Sequence, residues 1–535
     1  MAVQPLTENT PLADFINHKT NTGMQCGNYS IDLPELNEGE QYRFHFDAVG
    51  CVGCRCCEVA CNEQNANPDD IKWRRVGEME TGTYPDTLQL FNSMSCNHCI
   101  EPECLTGCPT ESYIKFDNGI VWHDDPSCIG CQYCTWNCPY EVPTFNKERG
   151  IVTKCHMCAD KLEMGQSPAC VQACPSNAIE IEVFNVEKWL EVDMDKEGIA
   201  PHLPNTDITK PTTRYTLPKL KEGETLRIAD EHLLKPAHSE IPLVFMTVLT
   251  QVSLGAFLAL FLGQVLFYLG FNLPEPTVTI AFLAALPAAI GLPLSALHLG
   301  RPGKAYMAMK NWRTSWLSRE AIALAAFTGL AFLVVGLYLM DIKGLPLLLL
   351  ETLTLAIGIY GIHAQAMIYR IKARPSWDRP STNKKFFATG YVGFLLIATI
   401  LLIAHGTQGV MVLLSITLLV GMAQILVIYE EMTFYKNLNT SDPLYYQYNR
   451  TRILLQEHFA TVKKFRVYSL LAFALGLPLI AILFTASGLT GLAIITLLLA
   501  TIGAFMSELS GRYLFYRTVV PLGLAGTFFA GNQRH

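Results

Sequence analysis

Cysteine is missing from most of this chain. The protein has 535 residues, yet all eighteen cysteines fall between Cys26 and Cys174. Charge is scarce as well: acidic and basic residues make up 16% of the sequence and the net charge is only −7, which argues against a nucleic-acid-binding role. The opening stretch MAVQPLTENTPLADF has neither the basic nor the apolar region of a signal peptide, and no twin-arginine pair precedes the cysteines. No nucleotide-binding glycine loop precedes a helix in the cysteine-bearing part, and nothing offers a pterin site. A disulfide framework does not account for the cysteines, because such frameworks suit short secreted domains.

The cysteines come in four blocks: CVGCRCCEVAC (51–61), CNHCIEPECLTGCP (96–109), CIGCQYCTWNCP (128–139) and CHMCADKLEMGQSPACVQACP (155–175). Each supplies four candidate ligands. They are Cys51, Cys54, Cys57 and Cys61; Cys96, Cys99, Cys104 and Cys108; Cys128, Cys131, Cys134 and Cys138; and Cys155, Cys158, Cys170 and Cys174. Blocks one and three have C-x2-C-x2-C-x3-C spacing, while two and four stretch the middle gap. Three closing cysteines precede proline, which ends a local helix.

Three thiolates on a tight loop hold three corners of an iron–sulfur cube, and the fourth reaches the other cluster of a two-cluster unit. Four blocks therefore predict four [4Fe–4S] clusters. Zinc is the alternative, since C-x2-C pairs also build zinc ribbons on what would then be a membrane scaffold. Four repeats with three cysteines close together and a C-P ending favour iron–sulfur. Cys56 breaks the register of block one, and Cys26 stands apart, so both are read as bystanders.

In chain order, residues 1–45 read as a polar arm, with alternating Tyr42, Phe44 and Phe46 marking a strand into the first cysteine loop. Residues 46–184 read as a tandem ferredoxin-like domain. Segment 67–91 is an inserted hairpin, and 120–125 and 178–184 are short flanking strands. Residues 185–240 read as a charged, proline-containing linker that packs along this domain and leads to a membrane. The fold class expected is an α+β double ferredoxin-like domain followed by an all-α bundle of eight transmembrane helices.

The bundle occupies 241–535, with spans placed at about 241–270, 277–299, 321–341, 345–369, 387–405, 409–428, 467–487 and 489–508. Basic residues crowd the loops after spans two, four, six and eight, whereas Lys343 stands almost alone on the opposite side. The positive-inside rule then puts the cluster domain in the cytoplasm, on a bacterial-type inner membrane.

Ionisable groups at membrane depth are functional candidates by default. His298 closes the second span and Glu320 opens the third, both at the end nearest the clusters, where a quinol must shed protons as it gives up electrons. Arg301 and Lys304 are weaker candidates, for orienting a quinone carbonyl or docking the cluster domain. A purely structural role for His298, capping its helix, remains open. Gln251, His363 and Glu508 read as interhelical hydrogen-bonding groups. The membrane histidines are few and scattered, so no haem is expected.

The phrases CNHC, CIGCQYC and PACVQACP make the cluster domain resemble the iron–sulfur subunit of dimethyl sulfoxide reductase-type molybdoenzymes. IPLVFMTVLTQ, LHLGRPGKAY, LSREA and ELSGRYLFYRT make residues 241–535 resemble their membrane anchor. The resemblance implies a natural fusion that relays electrons between menaquinol or ubiquinol and a separate molybdopterin catalytic subunit. It implies that blocks one and four share two clusters, and blocks two and three the others. It also places His298 and Glu320 at the quinol site. Because Cys131 is present where some relatives carry tryptophan, a four-iron cluster is implied there. A cytoplasm-facing sulfite:quinone oxidoreductase, a polysulfide reductase or a hydrogenase would use the same parts.

Overall fold

The computed structural model describes residues 24–26, 29–31, 36–194, 203–220, 224, 226–229, 233, 236–271, 273–406 and 410–523. Most of the expected N-terminal arm, and the side chain of Cys26, lie outside these. The protein divides into two compact units, the second running from Pro236 to Val520.

The first unit is a small α+β assembly. Its central strand, Glu40–Asp47, pairs antiparallel with Ile179–Asn185 and parallel with Arg214–Thr216. The alternation of Tyr42, Phe44 and Phe46 does what a half-buried strand requires, since all three are buried. A long hairpin, Arg75–Thr83 with Asp86–Met94, receives a third strand at Arg227–Ile228. Two shorter hairpins pair Tyr113–Lys115 with Val121–His123 and Thr144–Asn146 with Ile151–Thr153. Segment 185–240 is more than a connector. It lends strands to two sheets, and its Trp189 donates to Pro211 O at 3.0 Å.

Among its described residues the second unit contains eight helices long and apolar enough to cross a membrane: Ile241–Tyr268, Val278–Ala296, Trp316–Leu339, Leu345–Tyr369, Pro380–His405, Val410–Lys436, Ala460–Ala486 and Thr490–Arg517. They form two four-helix rings, spans one to four and spans five to eight, each closed by contact between its first and last member. Spans one and five meet at the seam between the rings and are the most buried of the eight. Glycine permits that seam. A Cβ on Gly255 would stand 2.0 Å from Gly390 O, and one on Gly393 would stand 2.2 Å from Ala256 N. Small residues let helix backbones approach where lipid gives little hydrophobic drive.

Several span ends differ from the hydropathy placement. The third begins at Trp316, the fifth at Pro380 and the seventh at Ala460, while the sixth runs to Lys436 and the eighth to Arg517. For the fifth, sixth and seventh spans the cause is pairing between distant charges. Lys385 donates to Glu431 at 2.8 Å and Arg466 to Glu508 at 2.8 Å, so the helices carry charged residues inward without leaving them unmatched. The long loop 429–466 is itself largely helical, with a separate helix at Tyr445–Ile453.

Candidate functional site

The cysteine loops fold so that blocks trade ligands. One pocket is lined by Cys96, Cys99 and Cys104 of block two together with Cys138 of block three. A second is lined by Cys128, Cys131 and Cys134 of block three together with Cys108 of block two. Short helices achieve this. Glu103–Thr106 and Tyr133–Asn137 each hold the third cysteine of their block, and the chain then turns at C-P to carry the fourth across. In the other pair, burial raises the Cys61 thiol and the neighbouring Cys155, Cys170 and Cys158 of block four add to it, while burial raises Cys51 with Cys57, Cys174 and Cys54 beside it.

The donor set suits a metal cluster. Burial pushes the thiols of Cys104, Cys131 and Cys134 up, and that of Cys138 to about 11, so thiolates there need a cationic partner. Backbone amides already aim at several sulfurs: Ser112 N donates to Cys108 Sγ at 3.3 Å, Met157 N to Cys155 Sγ at 3.4 Å and Ala178 N to Cys174 Sγ at 3.2 Å. Cys54 and Cys56 are both exposed.

Three residues outside the cysteine motif complete this region. Arg74, only 2% exposed, donates to Ser93 Oγ and Ser95 Oγ and lies over the Phe44 ring. Burial would weaken its guanidinium, but Cys170, Cys57, Cys155 and Cys61 outweigh that and raise its pKa. Lys154 is buried between two blocks. Its Nζ lies 3.8 Å from Cys96 Sγ and donates to Cys155 O at 2.8 Å. His98 accepts from Val121 N at Nδ1, which leaves Nε2 as the N–H, 4.0 Å from Cys155 Sγ. Single basic residues carry no motif, so nothing in the sequence marks these three.

In the membrane unit His298 does not simply cap its helix. Its Nδ1 donates to Glu240 Oε2 at 2.7 Å, and both side chains are buried. Glu240, just ahead of the first span, has its carboxyl held down to about 2: burial opposes ionisation, but hydrogen bonds from His238 and His298 outweigh it. An ionised carboxylate only accepts, so His298 Nδ1 carries a proton and the imidazole is fixed in orientation.

Glu320 is buried and belongs to a different set of contacts. Arg512 Nη2 donates to Gln251 Oε1 at 2.8 Å, Gln251 Nε2 to Gln365 Oε1 at 2.7 Å, and Gln365 Nε2 to Glu320 Oε1 at 2.9 Å. The arginine end fixes both amide orientations, since a guanidinium only donates. Gln251 and Glu508 thus make interhelical hydrogen bonds, as their setting suggested. His363 instead meets the Trp316 ring edge-on at 5.9 Å. Arg301 and Lys304 are half-buried around the short helical segment Pro302–Met309.

Comparison with known proteins accords with both units. Residues 87–183 match the 4Fe-4S dicluster domain, a match that begins after block one. Residues 235–518 match the DMSO reductase anchor subunit (DmsC) family. An anaerobic dimethyl sulfoxide reductase chain of Haemophilus influenzae is 36% identical over 181 residues, covering 32% of this protein and 87% of the relative. Its counterpart in Escherichia coli K12 is 34% identical over 179 residues, covering 32% and 86%. A sulfite dehydrogenase subunit from Allochromatium vinosum is 34% identical over 194 residues, covering 32% and 80%. With an anchor match spanning more than half its length and a cluster domain that covers most of those reductase chains, this protein belongs to the DMSO reductase anchor subunit family, as a fusion of the iron–sulfur and anchor parts of a dimethyl sulfoxide reductase-type complex.

Proposed function

We propose that this protein passes electrons between a membrane quinone and a separate molybdopterin-bearing catalytic subunit. The observation that carries the reading is the exchange of fourth cysteines between blocks two and three, the arrangement two adjacent clusters need. The sixteen cysteines of the four blocks would hold four [4Fe–4S] clusters, which supply one-electron transfer when bound. Around them the protein provides burial, amide donors and the cations Arg74 and Lys154. Lys154 and His98 both reach from block two to block four: Lys154 Nζ meets Cys96 Sγ and Cys155 O, and His98 Nε2 faces Cys155 Sγ. The test is metal analysis of the complex purified from solubilised membranes. About sixteen irons from this protein, with molybdenum or tungsten from a partner, supports the reading. Zinc in place of iron overturns it.

Lys154→Met is expected to lower the midpoint potential of the nearest cluster by on the order of 100 mV, because a buried cation a few ångströms from a ligating sulfur favours the reduced, more negative state. A redox titration followed by EPR reads this directly. An unchanged potential would show that Lys154 serves packing alone.

For the quinone we assign His298 and Glu320, with Arg301 and Lys304 as supporting cations. The held imidazole of His298 and the buried carboxyl of Glu320 are the proton acceptors a quinol requires. Glu320→Gln keeps the shape and the contact with Gln365 but removes the base. Quinol oxidation is expected to fall about 100-fold, with cluster content and reduction by dithionite unchanged. The basic loops at this end of the bundle favour a cytoplasmic cluster domain. That orientation, together with the likeness to a sulfite dehydrogenase subunit, makes sulfite oxidation the second reading for the complex. Assay of the purified complex with dimethyl sulfoxide and with sulfite separates the two.

A further inference from the structure

The second ring holds a feature that no quinone role uses. Where spans five and seven begin and six and eight end, the helices enclose a cavity of about 570 Å³, within the usual range of ligand sites. Six basic side chains reach its wall: Lys385, Lys436, Arg452, Lys463, Arg466 and Arg512. Only two acidic ones do, Glu431 and Glu508, and each is already held, by Lys385 and Arg466 respectively.

The wall also collects buried polar atoms with no hydrogen-bond partner: Nε of Arg452, Arg466 and Arg512, Oγ1 of Thr451 and Oε1 of Gln424. Arg466, Arg512, Thr451 and Gln424 are each more than nine-tenths buried. Leaving such atoms unpaired in a buried setting is costly, so five on one wall are groups that a polar ligand would satisfy. Gly511 keeps one of them open. A Cβ there would stand 2.6 Å from Arg466 Nε.

The inventory specifies the ligand. Three atoms are donors only, one is a hydroxyl and one is a carbonyl acceptor. A group rich in acceptor oxygens and carrying a free hydroxyl satisfies all five. A neutral quinone ring would leave the excess positive charge unmatched. Part of the wall, including Ile428, Met432 and Leu455, is apolar, and the cavity sits at the helix ends, where headgroups lie. We propose that this cavity binds the headgroup of an anionic phospholipid, its phosphodiester facing the arginines, a headgroup hydroxyl donating to Gln424 and its acyl chains running along the apolar wall. The proposal is independent of the quinone assignment.

The solubilised complex, stripped of lipid by detergent exchange, is incubated in turn with phosphatidylglycerol, phosphatidylethanolamine, inorganic phosphate and a menaquinone analogue, then examined by native mass spectrometry and thermal denaturation. One phosphatidylglycerol retained per protein, with a raised midpoint, is expected. Arg452→Gln and, separately, Lys463→Gln should weaken retention at least tenfold while the lipid-free midpoint stays that of the unaltered protein, and Arg452→Lys should keep most of it. Equal retention of phosphatidylethanolamine or the quinone analogue, or equal stabilisation by inorganic phosphate, overturns the lipid assignment. So does unaltered retention in both charge-removing variants.

Discussion

Cys131→Ser is expected to cut quinol-driven turnover by about 100-fold while leaving the anchor intact. Cys131 shares its pocket with Cys128, Cys134 and Cys108, and burial means that no nearby water-facing group replaces it. By analogy with relatives that carry tryptophan there, the product is a three-iron cluster with a higher potential. A rise of about 120 mV on one relay member makes onward transfer roughly 100-fold less favourable, since each 59 mV is a factor of ten for one electron. Iron per protein should drop by one, an oxidised three-iron EPR signal should appear, and turnover should fall by about that factor. Full turnover with normal iron would remove Cys131 from the ligand set.

The second large effect concerns folding. Arg466 and Glu508 have side chains only 5% and 4% exposed, joined at 2.8 Å. Glu508 also accepts from Gln424 Nε2 at 3.0 Å and from Thr389 Oγ1 at 3.1 Å, and Arg466 donates to Ser507 Oγ at 2.9 Å. Arg466→Met strands a carboxylate among helices and should cost about 3–5 kcal/mol, whereas Arg466→Met with Glu508→Met should recover most of it. In a detergent-solubilised complex the single variant is expected to melt roughly 10 °C lower. If the double variant is as unstable as the single one, the damage comes from lost packing and not from an unmatched charge.

Much of this organisation is legible in the sequence because it is local. Cysteine spacing, proline after the closing cysteine and alternation at Tyr42, Phe44 and Phe46 are written within a few residues, and eight apolar runs announce eight helices. What escapes is held between distant positions. Glu240 is separated from His298 by two whole spans, and nothing near either residue announces the pair. Arg74 and Lys154 are ordinary basic residues until the loops close around them. Span ends shifted for the same reason: hydropathy stops at Lys385, Glu431 or Arg466, but the helix continues once the opposite charge arrives from another span. The cavity of the second ring is assembled from residues 376–518 and has no contiguous signature.

The line from Arg512 through Gln251 and Gln365 to Glu320 has a further consequence. Its two interior members are carboxamides, whose N–H protons do not dissociate, and whose orientation is locked by the arginine at one end. Such a line is a dielectric and not a conductor. It couples a cation in one ring to a carboxyl group in the other by aligned dipoles, yet its two carboxamides relay no proton along the line itself. The two halves of the bundle are thereby joined through oriented dipoles and not through a chain of exchangeable protons along this line.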